Sequence, residues 1–149
     1  MAFKLSGSGG NVNNPALINV RSSGTITPNA PVVVVFGTTG AVVGPAGVDA
    51  TRTTLFGVGL DYRGDNVGDD YLTKVIRFTP EQLWECDTAN ATSTAQIGVR
   101  QALSASRGFI HNQATDSDGV TRVFFTIGVI GAMTGSGKLL GYFLVSPGL

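Results

Sequence analysis

Four consecutive valines, Val32 to Val35, stand between Pro31 and Phe36, and they set the tightest limit on what this chain folds into. A β-branched side chain loses rotamer freedom in a helix but packs well on a pleated surface. No polar residue alternates with the valines, so the segment reads as a strand covered on both faces. A second β signal fills the C-terminal third. There Val120–Ile130 and Lys138–Val145 flank Thr134-Gly135-Ser136-Gly137, a hairpin pattern in which the glycines supply positive φ.

Between these two signals, Leu17–Val20, Thr53–Tyr62 and Tyr71–Phe78 read as further strands. Gly57 and Gly59 within the second of them mark a bulge or a close backbone approach. The segments 24–29, 37–47, 63–70 and 111–119 carry turn and loop chemistry. Thr79-Pro80-Glu81-Gln82 has the form of a helix start, with Thr as N-cap, Pro at the first helical position and Gln three residues after the cap. A turn leading into a Leu83-Trp84-Glu85-Cys86 strand fits the same residues equally well. Ala95–Ser104 reads as a second short helical stretch.

The predicted fold class is therefore all-β, mainly strand with one or two short helices. Residues 17–149 form one domain with a small barrel, tulip-like or sandwich core. Residues 1–16 form a flexible N-terminal arm, because Gly7-Ser8-Gly9-Gly10-Asn11 and Asn13-Asn14-Pro15 are linker and turn chemistry. Phe3 and Leu5 are apolar anchors on that arm. It is either a frayed terminus or a tail that orders on a partner.

Charge narrows the function classes. Charged residues make up 13% of the chain, about half the usual share, and the formal net charge is zero. No positive field attracts phosphates, so nucleic acid is not an expected partner. Little self-repulsion keeps copies apart, which favours assembly. The single cysteine, Cys86, excludes an internal disulfide and fits synthesis in a reducing compartment. The first residues hold no apolar stretch of signal-peptide length. The apolar zones 31–48 and 123–145 are broken by Gly, Pro and polar residues. Neither offers the roughly 18 clean residues of a spanning helix, so no membrane partner is expected.

Each motif that suggests chemistry is incomplete. Ala132-Met133-Thr134-Gly135-Ser136-Gly137-Lys138-Leu139 imitates a phosphate-binding loop. It has Ala132 for the first glycine, Leu139 for the magnesium-binding hydroxyl, and a strand pattern where the helix belongs. Gly57-Val58-Gly59 lacks the third glycine of a dinucleotide fingerprint. Asp116-Ser117-Asp118-Gly119 resembles the start of a calcium loop, but the twelfth position is Ile127 rather than Glu. His111 is the only histidine, too few for a His/Cys metal site, and no serine sits in a G-x-S-x-G elbow. Asn90-Ala91-Thr92 and Arg63-Gly64-Asp65 match a glycosylation acceptor and an adhesion tripeptide by letter only. No catalytic residue, metal or cofactor is expected.

One family resemblance adds to this reading. Phe78-Thr79-Pro80-Glu81-Gln82-Leu83-Trp84-Glu85-Cys86 leads into the Ala/Thr-rich stretch 88–94 and then Gln96-Ile97-Gly98-Val99. A polar loop and an apolar hairpin come next, holding Gly128-Val129-Ile130-Gly131 and Leu139-Leu140-Gly141-Tyr142-Phe143. In order and composition, residues 50–149 resemble the capsid decoration, or cement, proteins of tailed bacteriophages and cyanophages. The resemblance implies a β-rich body that assembles as a homotrimer on the outer capsid surface of a virion built in the bacterial cytoplasm. It implies the major capsid protein as partner, bridged copy to copy, and an N-terminal arm that orders on the shell. Phe3, Lys4 and Leu5 on the arm, together with Trp84, are the candidate protein contacts. Two alternatives stay open: another virion assembly protein (head fibre, tail-tube or capsid subunit), or a β-barrel holding a small ligand or carbohydrate, with Trp84, Tyr62 and Tyr71 near it.

Overall fold

The computed structural model describes residues 3–7, 17–22, 24–37, 40–61, 72–104, 110–111, 116, 118–130 and 136–145. At residues 4–7, 36–37, 40–41, 89–91, 111 and 136 it describes the backbone alone. Eleven strands run in chain order: β1 Phe3–Gly7, β2 Leu17–Arg21, β3 Ala30–Gly37, β4 Gly40–Pro45, β5 Leu55–Gly59, β6 Leu72–Arg77, β7 Leu83–Ala91, β8 Arg100–Leu103, β9 Ile110–His111, β10 Phe124–Ile130 and β11 Ser136–Phe143. One short 3₁₀ turn, Thr94–Gln96, precedes β8. The fold is all-β, and no helix among the described residues is long and apolar enough to cross a membrane.

Two sheets share a main core, and the first also encloses a smaller one. The first has the order β2-β6-β5-β3-β4. It curls into a half-barrel whose outer strands meet at a single parallel bridge, Ser22 to Val43. Its concave face buries Ile26, Val32, Val43 and Val75, with Val20 and Phe56 packed against them. The hydroxyl of Thr73 donates to Ser22 Oγ at 2.6 Å in the same interior, so these buried polar groups answer each other. Val33, Leu55, Val58 and Ile76 point the other way, into the main core. The valine run thus serves two cores by alternation, and both faces of β3 carry apolar packing. The far end of the run is less covered, with Val35 exposed.

The second sheet has the order β1-β7-β11-β10-β8-β9, and β9 returns to pair in parallel with β7 at Thr88 and Ile110. Its inward face supplies an aromatic cluster. Phe143 stacks on Phe78 at 4.0 Å between ring centroids and meets Phe124 edge-on at 5.0 Å. Trp84 lies edge-on to Phe78 at 5.2 Å and to Phe143 at 5.9 Å. Edge-to-face and offset contacts suit rings with a negative face and a positive rim. Gly141 makes this crowding possible, because a Cβ there would collide with the carbonyl of Phe125 and the ring of Phe124.

Several expectations need correction. Residues 3–7, read as part of a flexible arm, are strand β1, paired antiparallel to β7 with Phe3 opposite Cys86 and Leu5 opposite Trp84. Phe3 is 1% exposed, its ring 5.7 Å from that of Phe143. Burying a Phe is worth about 1.5–3 kcal/mol, and strand pairing adds to it, so the glycines after it do not leave this segment loose. Of the two readings of Thr79–Gln82, the turn into a strand holds and the helix start does not. The Thr79 N–H does donate to Gln82 Oε1 at 2.9 Å, but the bond closes a turn that enters β7. Ser93 and Gln96 repeat the arrangement at the 3₁₀ turn. In the stretch 95–104 only the 3₁₀ turn ending at Gln96 is helical and Arg100–Leu103 is strand β8, with Gly98, at φ +81°, redirecting the chain between them. Within 37–47, read as repeated turns, β4 runs beside β3, since an edge strand accommodates Gly44 and Pro45.

Candidate contact surface

The features that bear on function are the slot occupied by β1, an ion-pair cluster and three open cavities. The slot is the edge of β7 from Leu83 to Cys86. Leu83, Glu85 and Asp87 face away from the core, while Trp84, Cys86 and Thr88 face into it with almost no exposure. β1 completes the sheet on that side, and the Phe3 ring closes the aromatic cluster.

Trp84, a predicted contact residue, is therefore a core side chain at 1% exposure. Its indole N–H has no hydrogen-bond partner among the described residues. Phe3 is likewise internal to the chain. Lys4 and Leu5 are placed by backbone register, opposite Glu85 and Trp84. Tyr62 and Tyr71, the other aromatics named for a ligand pocket, lie outside the described residues. So does Arg63-Gly64-Asp65.

Cys86 sits among these core residues, fully buried. Burial pushes its thiol well above the ordinary range, and the neighbouring charges of Asp87 and Glu85 push it further. The reactive thiolate is thereby suppressed. His111 lies on β9 with its backbone paired to Ala102, next to Ile110, which pairs with Thr88 of β7. Lys138, the lysine of the phosphate-loop imitation, is on β11 opposite Ile130, with its ammonium 3.8 Å from Asp87. It lies within a strand, so no helix terminus presents N–H groups to an anion.

The Asp116–Gly119 segment forms an ion-pair cluster. Asp118 lies 3.0 Å from the Arg52 guanidinium and 3.2 Å from that of Arg100. The Gly119 N–H also donates to Asp118 at 2.9 Å. That N–H, then the two arginines, hold the Asp118 carboxyl below its ordinary range. Asp116 accepts from the Arg100 N–H at 2.8 Å, and the Arg52 Nε–H donates to the carbonyl of Arg122 at 2.8 Å. Both carboxylates are thus engaged by arginine and backbone donors. The segment pins a surface loop and holds no grouping of His, Cys, Asp and Glu able to bind a metal among the described residues.

The cavities are open, one apolar and two of mixed polar and apolar lining. One of about 260 Å³ opens at the half-barrel seam between Val20, Val34, Val42, Val43 and Phe56, beside Arg21. One of about 330 Å³ lies along Val33, Val34, Val35, Pro45 and Ala50, with Asp49 and Thr54 at its margin. Val35, which lines it, is 41% exposed, Val48 is 49% exposed, and Leu72 and Val120, at 58% and 66%, are the most exposed large apolar side chains described. The third, about 270 Å³, lies over Arg52 and Asp118.

No protein-family model, curated protein or solved structure matches this chain.

Proposed function

We propose that this chain is a non-enzymatic shell protein. It decorates and cements a phage capsid from the outside, as a homotrimer that bridges neighbouring copies of the major capsid protein. The observation that carries the reading is the surface of the half-barrel. Val35 and Val48 stand exposed on this two-sheet body, and Val35 lines an open hollow of mixed polar and apolar character. Exposed apolar surface of this kind marks contact with another protein more readily than it serves catalysis. The ionisable groups that do cluster, Arg52, Arg100, Asp116 and Asp118, neutralise one another. The near-absence of net charge and the family resemblance of residues 50–149 point the same way. Many modest contacts repeated by lattice symmetry supply avidity without a deep site.

The test is attachment. Light scattering reports a trimer, and the purified protein saturates expanded heads that lack it. A monomer that ignores such heads ends the proposal.

A second reading is favoured by one observation, the apolar hollow at the half-barrel seam. A concave apolar site with one cationic neighbour suits a small amphiphilic ligand. Native mass spectrometry separates the two readings, since a ligand carrier retains a bound small molecule and a cement protein does not.

A further inference from the structure

We infer that β1 is exchanged between copies: the Phe3–Gly7 strand of one chain fills the slot on β7 of the next. The occupant of the slot is a second copy of this chain. The inference rests on the proposed trimer and states how its copies are joined.

Four observations lead to it. First, the slot must always be filled. Without β1 the inward side chains Trp84, Cys86 and Phe143, all at most 1% exposed, would lose their cover. Second, β1 pairs with β7 alone among the described strands, through four register pairs. Every pairing it makes is one that an identical strand from a neighbour makes equally well, which is the condition for exchange at low cost.

Third, the tether has the length. Ser8 to Ala16, nine residues with Gly9 and Gly10, separates β1 on one sheet from β2 on the other. Extended, it spans roughly 30 Å, against a radius of gyration of roughly 15 Å for a domain of this length. It therefore reaches a neighbour whose slot opens within that distance of β2.

Fourth, the outer edge of β1 is a poor template for a further strand. It is five residues long, carries Lys4, and its register slips between Leu5 and Gly7. Short, charged and bulged edges resist strand addition. Replacement of β1, rather than addition to it, is the route by which this sheet edge joins another chain. Three such exchanges close a ring, and each chain is then held at two points.

The register supplies the test. Lys4 faces Glu85 and Phe3 faces Cys86 across the β1–β7 pair. Directly opposed residues on antiparallel strands have Cα atoms about 4.5–5.5 Å apart, within disulfide range. A K4C/E85C variant in a C86A background is oxidised and run on a non-reducing gel. Exchange gives covalent multimers up to a closed trimer. A strand kept at home gives only cross-linked monomer, and that result overturns the inference. F3C, which uses the native Cys86, is the second variant, so one misfolded protein does not decide the matter. Light scattering and head attachment are measured on the same samples. Trimers that attach to heads but cross-link only within the chain refute exchange and leave the cement reading standing. Monomers that fail to attach refute both.

Discussion

Replacing Phe143 with alanine probes the main core at its centre. The ring is 1% exposed and touches Phe3, Phe78, Trp84 and Phe124 at centroid distances of 5.7, 4.0, 5.9 and 5.0 Å. A buried Phe→Ala change costs about 3–5 kcal/mol, from lost transfer energy plus the cavity left behind. Two facts place this site near the upper end. The four neighbouring rings come from β1, β7, β10 and the turn before β7, so closing the cavity would require several elements to move together. Each well-oriented ring pair also adds about 0.5–1.5 kcal/mol beyond area. Against a total stability of about 5–15 kcal/mol, F143A stands at the margin of folding. For a chain of this size each kcal/mol moves Tm by about 2–4 °C, so a fall of about 10–15 °C is expected. The assay is thermal and urea unfolding by circular dichroism at one fixed protein concentration, since assembly makes apparent stability concentration-dependent. Phe125→Ala is the control, because Phe125 is only half-buried and faces away from the cluster. A loss below about 2 kcal/mol for F143A, or equal losses for the two variants, refutes the shared aromatic core.

Further outcomes rest on particular contacts. G141A fails to fold or loses several kcal/mol, because its Cβ meets the Phe125 carbonyl, whereas G128A, with ordinary contact to Leu140 at 3.7 Å, is tolerated; expression and Tm of the pair check this. Asp118 titrates below the ordinary Asp range in the folded chain. Its contribution to stability is present above the unfolded-state pKa, near 3.8, and is lost as pH falls through the lower folded value. Carboxyl NMR reads that pKa directly, and in D118N the acid-side slope of stability flattens. Cys86 stays unreactive toward a thiol reagent at pH 8 in the native protein and reacts at once in denaturant; rapid native labelling contradicts its burial.

Strand content is legible where side-chain chemistry decides it. The valine run and the hairpin β10–β11 are dictated by β-branched and apolar residues, and their identity shows before any packing is known. β4, β8 and β9 are not legible, because each owes its existence to a neighbour. Gly40–Pro45 looks like turns until β3 offers it an edge, and Ile110–His111 is a strand only because β7 and β8 flank it. The Thr79 and Ser93 caps show the same limit. A capping side chain satisfies a backbone N–H wherever the chain reverses, and tertiary pairing decides whether a helix or a strand comes next. Phe3 and Trp84 stand out in the sequence as large apolar side chains. Their direction, inward to a common core rather than outward to a partner, depends on β1 meeting β7, a contact spanning some 80 residues.

The order of the strands along the chain governs how this molecule is born. The half-barrel needs only residues 17–77 and is complete early in translation. The other sheet waits for β11, its inner strand, which begins at Ser136. At about 5–20 residues per second, the ribosome takes on the order of 3–12 s to make the interval between them. Through that time Leu55, Val58 and Ile76 lack the cover of the completed second sheet, and Phe3, the earliest of these core residues to emerge, has only β7 to lie against once Ala91 is made. The nascent chain is stickiest in that window, and slowing translation late in the message would lengthen it.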